Sequence, residues 1–187
     1  MNDIPVIELF DLGSLNNVAL VTEPAIEELF VALSKEEVQL KVADEEKRIV
    51  CGPALIPNKN ILRFNSLGEA YYIYFSEDTV RHISEEFLKD GKTHAFNLQH
   101  EDDTEDLYIT ESWIVENAEL DKSTMLGMSV PKGTWMLSAK VTNDDIWSRV
   151  KSGELRGFSI DGMFSTEKQY GEEELLNSII DVLNEVK

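Results

Sequence analysis

The sequence predicts an α+β fold in which strands outnumber helices. Short apolar runs rich in Val, Ile, Tyr and Phe recur along the chain, whereas three segments show the apolar spacing of an amphipathic helix. Gly and Pro residues separate many of these runs, as is typical of turns between elements. With 187 residues, 42% of them hydrophobic, the chain can bury one sizeable core and at most a second small lobe.

Charge and segment composition exclude several classes of protein. The formal net charge of −19 disfavours nucleic acid and anionic membranes as partners, because binding to them requires Lys and Arg to neutralise phosphates. No apolar run approaches the roughly 18 residues of a membrane span. The N-terminus lacks the basic start and apolar centre of a secretory signal. We therefore expect no nucleic-acid partner and no membrane partner.

The single cysteine, Cys51, excludes an internal disulfide and fits a reducing cytosol. It follows Ile49 and Val50 and precedes Gly52 and Pro53, a pattern typical of a buried strand end. A catalytic thiol is the alternative, which we consider less favoured.

The N-terminal half contains five strand-like runs. They cover residues 6–10, 17–21, 29–33, 49–51 and 71–75, and the last is the most strand-like of all. The first predicted helix follows directly. Ser76 is a good N-cap and Gly91 a good C-terminal stop. One predicted apolar stripe comprises Val80, Ile83, Phe87 and Leu88. His82 lies off this stripe and is predicted to be a surface residue.

Residues 93–100 alternate strongly, which predicts a strand with His94 and His100 on one face. After an acidic loop, residues 107–116 predict another strand, in which Glu111 interrupts an otherwise apolar face. Burying this carboxylate without a partner would cost on the order of several kcal/mol. We therefore expect Glu111 to have a partner or its face to be partly open.

The C-terminal part begins with residues 117–133, whose Gly and Ser content predicts a mobile loop that could act as a flap over a site. A strand over 134–141 and a helix from Asn143 to Gly153 then lead into the glycine-flanked strand Gly157-Phe158-Ser159-Ile160-Asp161-Gly162.

The tail, residues 171–187, predicts an amphipathic helix after a linker near residues 167–169. The predicted organisation is one domain over residues 1–166, followed by a linker and helix over 167–187. Two alternatives stay open for the helix: packing on the domain itself, or docking to a partner.

Ser159 is a candidate nucleophile. If Phe158 and Ile160 fill the core, Ser159 and Asp161 point the other way, toward a surface cleft. Serine requires a neighbouring base, usually imidazole, and flanking glycines allow a substrate backbone and oxyanion-stabilising N–H groups to come close. The pattern differs from the Gly-x-Ser-x-Gly nucleophile elbow, and a serine on a glycine-flanked strand is usually structural.

His100 is the candidate base, although a histidine beside an acidic loop is more often a surface residue. A metal site is the alternative, with ligands drawn from His94, His100, Glu101, Asp102 and Asp103. The two histidines would lie roughly 20 Å apart along a strand, too far to share one ion. We therefore expect neither a metal nor another cofactor.

An ordered set of motifs over roughly residues 15–165 carries a family resemblance. The set is Val18-Ala19-Leu20-Val21-x-x-Pro24-Ala25, Ile49-Val50-x-Gly52-Pro53-Ala54-Leu55-Ile56-Pro57, Phe75-Ser76-x-Asp78-Thr79-Val80, Asn97-Leu98-x-His100, Glu111-Ser112-Trp113-Ile114-Val115, Gly133-Thr134-Trp135-Met136, and Trp147-x-x-Val150-x-x-Gly153-x-Leu155-x-Gly157-Phe158-Ser159-Ile160-x-Gly162. It resembles the prohead (capsid maturation) serine proteases of tailed bacteriophages, and most closely the XkdF-like group.

The resemblance implies the fold of herpesvirus assemblin: a small closed, mostly antiparallel β-barrel surrounded by a few helices. It also implies a serine endopeptidase that acts inside the assembling procapsid in the host cytoplasm. Its substrates would be phage scaffold protein, major capsid protein and often the enzyme itself.

His100 and Ser159 match the histidine and serine of the family. Assemblin has a second histidine after the serine, but this chain has no histidine beyond His100. Either an acid completes the site, or the pair works without a third member. Glu111, which matches an acid in related phage proteases, is the first choice and Asp161 the alternative.

Other classes stay open at this point. A catalytically inactive capsid-assembly or scaffold protein on the same fold is the main alternative, and a metal-dependent hydrolase is a third. The sequence leaves open the cleavage specificity and the oligomeric state, including a homo-oligomer.

Overall fold

The computed structural model describes residues 4–22 and 39–166 of the chain, and it confirms an α+β architecture rich in strands. The strands in chain order are β1 (Val6–Glu8), β2 (Phe10–Val21), β3 (Lys41–Asp44), β4 (Ile49–Leu55), β5 (Ile61–Phe64), β6 (Ala70–Tyr74), β7 (Phe96–Leu98), β8 (Asp102–Thr104), β9 (Leu107–Ile114), β10 (Trp135–Val141) and β11 (Gly157–Ser165). The helices are α1 (Glu77–Lys89), α2 (Lys122–Met125) and α3 (Asp144–Lys151).

The described strands form three open sheets, so the closed barrel implied by the resemblance is not found. The orders are β1-β6-β5, β3-β4-β10-β9 and β11-β2-β7-β8. Pairing is mostly antiparallel, as expected; only β1 with β6 and β2 with β7 run parallel.

Isolated backbone hydrogen bonds connect the two four-stranded sheets at their ends. The Leu40 N–H donates to the Arg156 carbonyl (2.7 Å), and the Ile109 N–H donates to the Thr93 carbonyl (2.9 Å). Closure of a barrel requires continuous ladders between its edges rather than single bonds. The two sheets therefore remain separate and do not close into one barrel.

The main core fills the space between these sheets and beneath α1 and α3. Phe158 of β11 and Phe96 of β7 contribute rings whose centroids are 6.3 Å apart, and Phe87 of α1 lies edge-on to Trp135 of β10. All four side chains are almost fully buried. Burial of such aromatic side chains is a major stabilising contribution to a domain of this size.

Helix α1 forms where its caps predicted. The Ser76 hydroxyl accepts a hydrogen bond from the Thr79 N–H, and Gly91 adopts a positive φ of 70° after the helix. Val80, Ile83 and Phe87 are buried, and His82 is exposed as predicted, whereas Leu88 of the predicted stripe is 40% exposed.

A β-bulge in β9 changes which face Glu111 occupies. Ser138 pairs with Glu111 and Ala139 with Ile109, so Thr110 is the extra residue. Beyond the bulge the alternation is shifted by one: Ile109 faces the main core, while Glu111 shares the opposite face with Ser138. The prediction of a single apolar face interrupted by Glu111 was therefore wrong.

Residues 117–133, predicted to be a mobile loop and a flap over a site, instead pack on the outer face of the sheet that contains β10. They contain α2, begun by the Asp121 side chain, which accepts a hydrogen bond from the Ser123 N–H. Met128 and Val130 are buried in a second apolar cluster with Cys51 and other residues of the outer face of the β10 sheet. Hydrophobic anchoring of this segment overrides its loop-like composition.

Three predictions fall outside the described residues: the strand over residues 29–33, the linker near residues 167–169 and the amphipathic helix over residues 171–187. Within the described ranges, every helix is too short or too polar to span a membrane.

Candidate active site

Ser159 lies near the start of β11, whose neighbours determine its surroundings. Its register partner on β2 is Ala19, and Ala19 is in turn opposite Asn97 on β7. Directly paired residues share a face, so these three form one row across the sheet, with Ser159 and Asn97 about 10 Å apart. Phe158 is buried in the main core, as predicted, and Ser159 is on the other face, only 6% exposed.

His100 reaches the site through a turn rather than along a strand. The strand predicted over residues 93–100 ends at Leu98, because Gln99 (φ 56°) and His100 (φ 61°) both adopt the left-handed conformation. His94 was predicted to share a face with His100, but it stacks on Tyr108 with centroids 5.6 Å apart.

Gln99 anchors this turn to the end of β2. Its Oε1 atom accepts a hydrogen bond from the Thr22 N–H and its Nε2 atom donates to the Thr22 hydroxyl, both at 2.9 Å. Its own N–H donates to the Leu20 carbonyl at 3.2 Å. These bonds offset the cost of two consecutive non-glycine residues in a conformation that side chains disfavour. They leave the His100 side chain exposed next to β11.

Ser159, His100 and Asp161 line a single cleft of about 410 Å³. Much of the remaining wall is apolar and comes from Leu9, Ile61, Ile73, Phe75 and Phe164. The cleft thus combines a hydroxyl, an imidazole and a carboxylate with apolar walls, a common composition for sites that bind peptides or small organic ligands.

Glu111 is not among the residues that line this cleft. It is on β9, on the outer face of the other four-stranded sheet, where it forms an ion pair with Lys122 of α2. The Lys122 ammonium, followed by the Ser138 hydroxyl, lowers the pKa of the Glu111 carboxyl. Lys122 also lies 5.4 Å from the centroid of the Trp113 ring. Of the two expectations for Glu111, a partner or a partly open face, both hold: its partner is Lys122, and its side chain is 48% exposed.

No metal centre is visible in the part of the chain that the structure describes. There, no cluster of three or more His, Cys, Asp or Glu side chains is arranged to hold an ion. Cys51 is fully buried, and burial raises the pKa of its thiol. A protonated and inaccessible thiol is a poor nucleophile.

Sequence reasoning missed two polar residues at or near the cleft. Arg63 of β5 lines it, and its Nη1 atom donates to the Leu62 carbonyl at 2.9 Å. Asn97 is 3% exposed, and its Oδ1 atom has no hydrogen-bond partner among the described residues. The sequence did contain a signal for Arg63: it is the one charged residue in the otherwise apolar run formed with Ile61, Leu62 and Phe64.

The comparisons with known proteins identify a family. The family described as "Putative phage serine protease XkdF" matches residues 37–168, more than half of the chain, and this span includes His100, Glu111, Ser159 and Asp161. No curated protein and no solved structure matches the chain.

Proposed function

We propose that this chain, which belongs to that phage serine protease family, is a serine endopeptidase with Ser159 as nucleophile and His100 as general base. One observation carries the proposal: the two side chains, far apart in sequence, line the same cleft. A serine hydroxyl is activated by a base within reach, and imidazole is the side chain whose ordinary pKa is closest to neutrality.

The proposed reaction is acyl transfer. His100 accepts the proton of the Ser159 hydroxyl as Oγ bonds to the carbonyl carbon of a peptide, and the carbonyl π electrons move to its oxygen. When the intermediate collapses, the C–N bond breaks and His100 returns the proton to the leaving amine. Water then attacks the acyl-enzyme with the same assistance and releases Ser159.

Asp161 is the acid that we assign to this site. It lines the cleft with Ser159 and His100, so a carboxylate is available to stabilise the imidazolium that forms in the transition state. Glu111 is less favoured, because its carboxylate is paired with Lys122 away from the cleft wall.

The substrates that we propose are the scaffold and major capsid proteins of a phage, cleaved during procapsid maturation in the host cytoplasm, together with the enzyme itself. Membership of a phage serine protease family supports this assignment. The apolar walls of the cleft also suit a polypeptide segment that carries apolar side chains.

The test is covalent labelling of the protein by a fluorophosphonate probe. We expect modification at Ser159, identified by peptide mass spectrometry, and its loss in Ser159→Ala. Ser148→Ala is the matched control, because Ser148 is an exposed serine on α3 outside the cleft.

A second measurement follows processing of scaffold and capsid proteins co-expressed with each variant. Cleavage should stop in Ser159→Ala and continue in Ser148→Ala. Full processing by Ser159→Ala would refute the assignment. Absence of both labelling and processing in the wild type would instead favour a catalytically inactive assembly protein on this fold.

A further inference from the structure

β11 is an edge strand of its sheet, and its edge opposite β2 borders the cleft. Among the described residues it pairs only with β2. Four consecutive residues, 159–162, line the cleft. Successive side chains of a strand point to opposite faces, so a cleft over one face would contact every second residue. The cleft therefore extends along the edge of β11.

The hydrogen bonds of β2 determine which backbone groups of β11 point to this edge. The Val18 N–H donates to the Ala95 carbonyl (2.9 Å), and the Leu20 carbonyl accepts from the Gln99 N–H (3.2 Å). Val18 and Leu20 thus direct their backbone groups toward β7. Because successive residues direct these groups to opposite sides, Ala19 between them directs its own toward β11.

Ala19 is paired with Ser159, so the backbone groups of Ser159 point to β2. Ile160, the next residue, must then direct its N–H away from β2 and toward the cleft that it lines. The only register irregularities in this pair follow Asp161, beyond the residues concerned.

We infer that the backbone N–H of Ile160 is the donor that stabilises the oxyanion of the acyl-transfer reaction. The inference rests on the proposed function of Ser159. As Ser159 Oγ bonds to the carbonyl carbon, negative charge develops on the carbonyl oxygen, and the adjacent N–H donates a hydrogen bond to it. The donor is fixed by the β2–β11 ladder, so it needs no reorganisation during the reaction. Collapse of the intermediate restores the C=O bond and releases the N–H.

Ile160→Pro removes this N–H. Proline is tolerated on an edge strand where the missing N–H faces outward, and the preceding Ser159 is already extended. The matched control is Ile160→Val, which keeps the N–H and the branched side chain. A second variant replaces Ile160 by its α-hydroxy analogue, so that an ester oxygen replaces the N–H and the side chain is unchanged.

The readout is the second-order rate constant of fluorophosphonate labelling at Ser159, because the phosphoryl oxygen of the probe occupies the oxyanion position. We expect a loss of about 100-fold or more in both N–H-deficient variants. Ile160→Val keeps the N–H and should therefore lose far less reactivity than either of these variants. Thermal unfolding of each variant establishes whether it is folded, and if Ile160→Pro is not, the ester variant decides.

Wild-type rates in a folded variant without the N–H would overturn this inference while leaving Ser159 as the nucleophile. A wild-type protein that is not labelled at Ser159 would instead contradict the proposed function, and the inference with it. The two failures are therefore distinguishable in one experiment.

Discussion

Gln99 is bonded to Thr22 twice, through its Oε1 atom to the Thr22 N–H and through its Nε2 atom to the Thr22 hydroxyl, each at 2.9 Å. This pair fastens the end of β7 to the end of β2. It thereby holds the left-handed turn that presents His100 to the cleft.

Gln99→Ala should destabilise the protein modestly and slow labelling of Ser159 more strongly. The loss of two partly buried hydrogen bonds costs about 1–3 kcal/mol in free energy of unfolding, measured by urea denaturation. The labelling rate should fall as well, because the strained turn loses its support. Gln99→Glu keeps the acceptor for the Thr22 N–H. Its stability and its labelling rate should therefore lie between those of the wild type and those of Gln99→Ala. An unchanged labelling rate in a folded Gln99→Ala protein would show that the turn does not position His100.

Asp161→Asn should reduce the labelling rate by at least on the order of 100-fold, because the amide cannot stabilise a protonated His100. Glu111→Gln should label at close to the wild-type rate, since Glu111 is bonded to Lys122 outside the cleft wall. The opposite ranking of these two variants would restore Glu111 as the third member of the site.

Glu111 should contribute to stability above its ordinary pKa and lose that contribution in acid. Lys122 and then Ser138 lower the pKa of the folded-state carboxyl below the ordinary 4.5. A group with a depressed folded pKa stabilises above the unfolded value, and this stability disappears as pH falls through the folded value.

The size of this effect is limited by solvent, because the Glu111 side chain is 48% exposed. We expect Glu111→Gln to cost less than about 1 kcal/mol at neutral pH, and less still at low pH. Urea unfolding at both pH values measures the difference, with Glu119→Gln as an exposed control. A cost for Glu111→Gln that grows as pH falls would contradict the ion pair.

Cys51 should resist alkylation by iodoacetamide in the folded protein and react once urea unfolds the chain. It is fully buried, and burial raises the pKa of its thiol, so the reactive thiolate is scarce. Cys51→Ala should retain labelling at Ser159. Rapid alkylation under native conditions, or loss of Ser159 labelling in that variant, would argue for a cysteine-dependent site.

Much of the local structure could be predicted from the residues alone. The cap residues Ser76 and Gly91 bound α1 closely, because helix ends depend on groups within one turn of the chain. The partition of Phe158 into the core and Ser159 onto the other face also follows from strand alternation. The order of the sequence motifs was sufficient to identify the family.

The alternation rule failed where a tertiary partner changed the backbone. Thr110 is an extra residue relative to β10, so Glu111 moved to the opposite face, a shift that depends on pairing with a strand more than twenty residues away. The strand toward His100 ended early for a similar reason, since the Gln99 side chain bonds to Thr22 and supports a left-handed turn that ends the β7 ladder at Leu98.

The sequence by itself therefore determined the class of fold, the first helix, the buried faces and the serine and histidine candidates. Only the tertiary structure decided that the described sheets stay open, that Asp161 rather than Glu111 lines the cleft, and that Arg63 joins it. The physical reason is the distance along the sequence over which each interaction acts. Caps and periodicity act over a few residues, whereas register, bulges and the walls of a cleft depend on strands that the chain brings together only after folding.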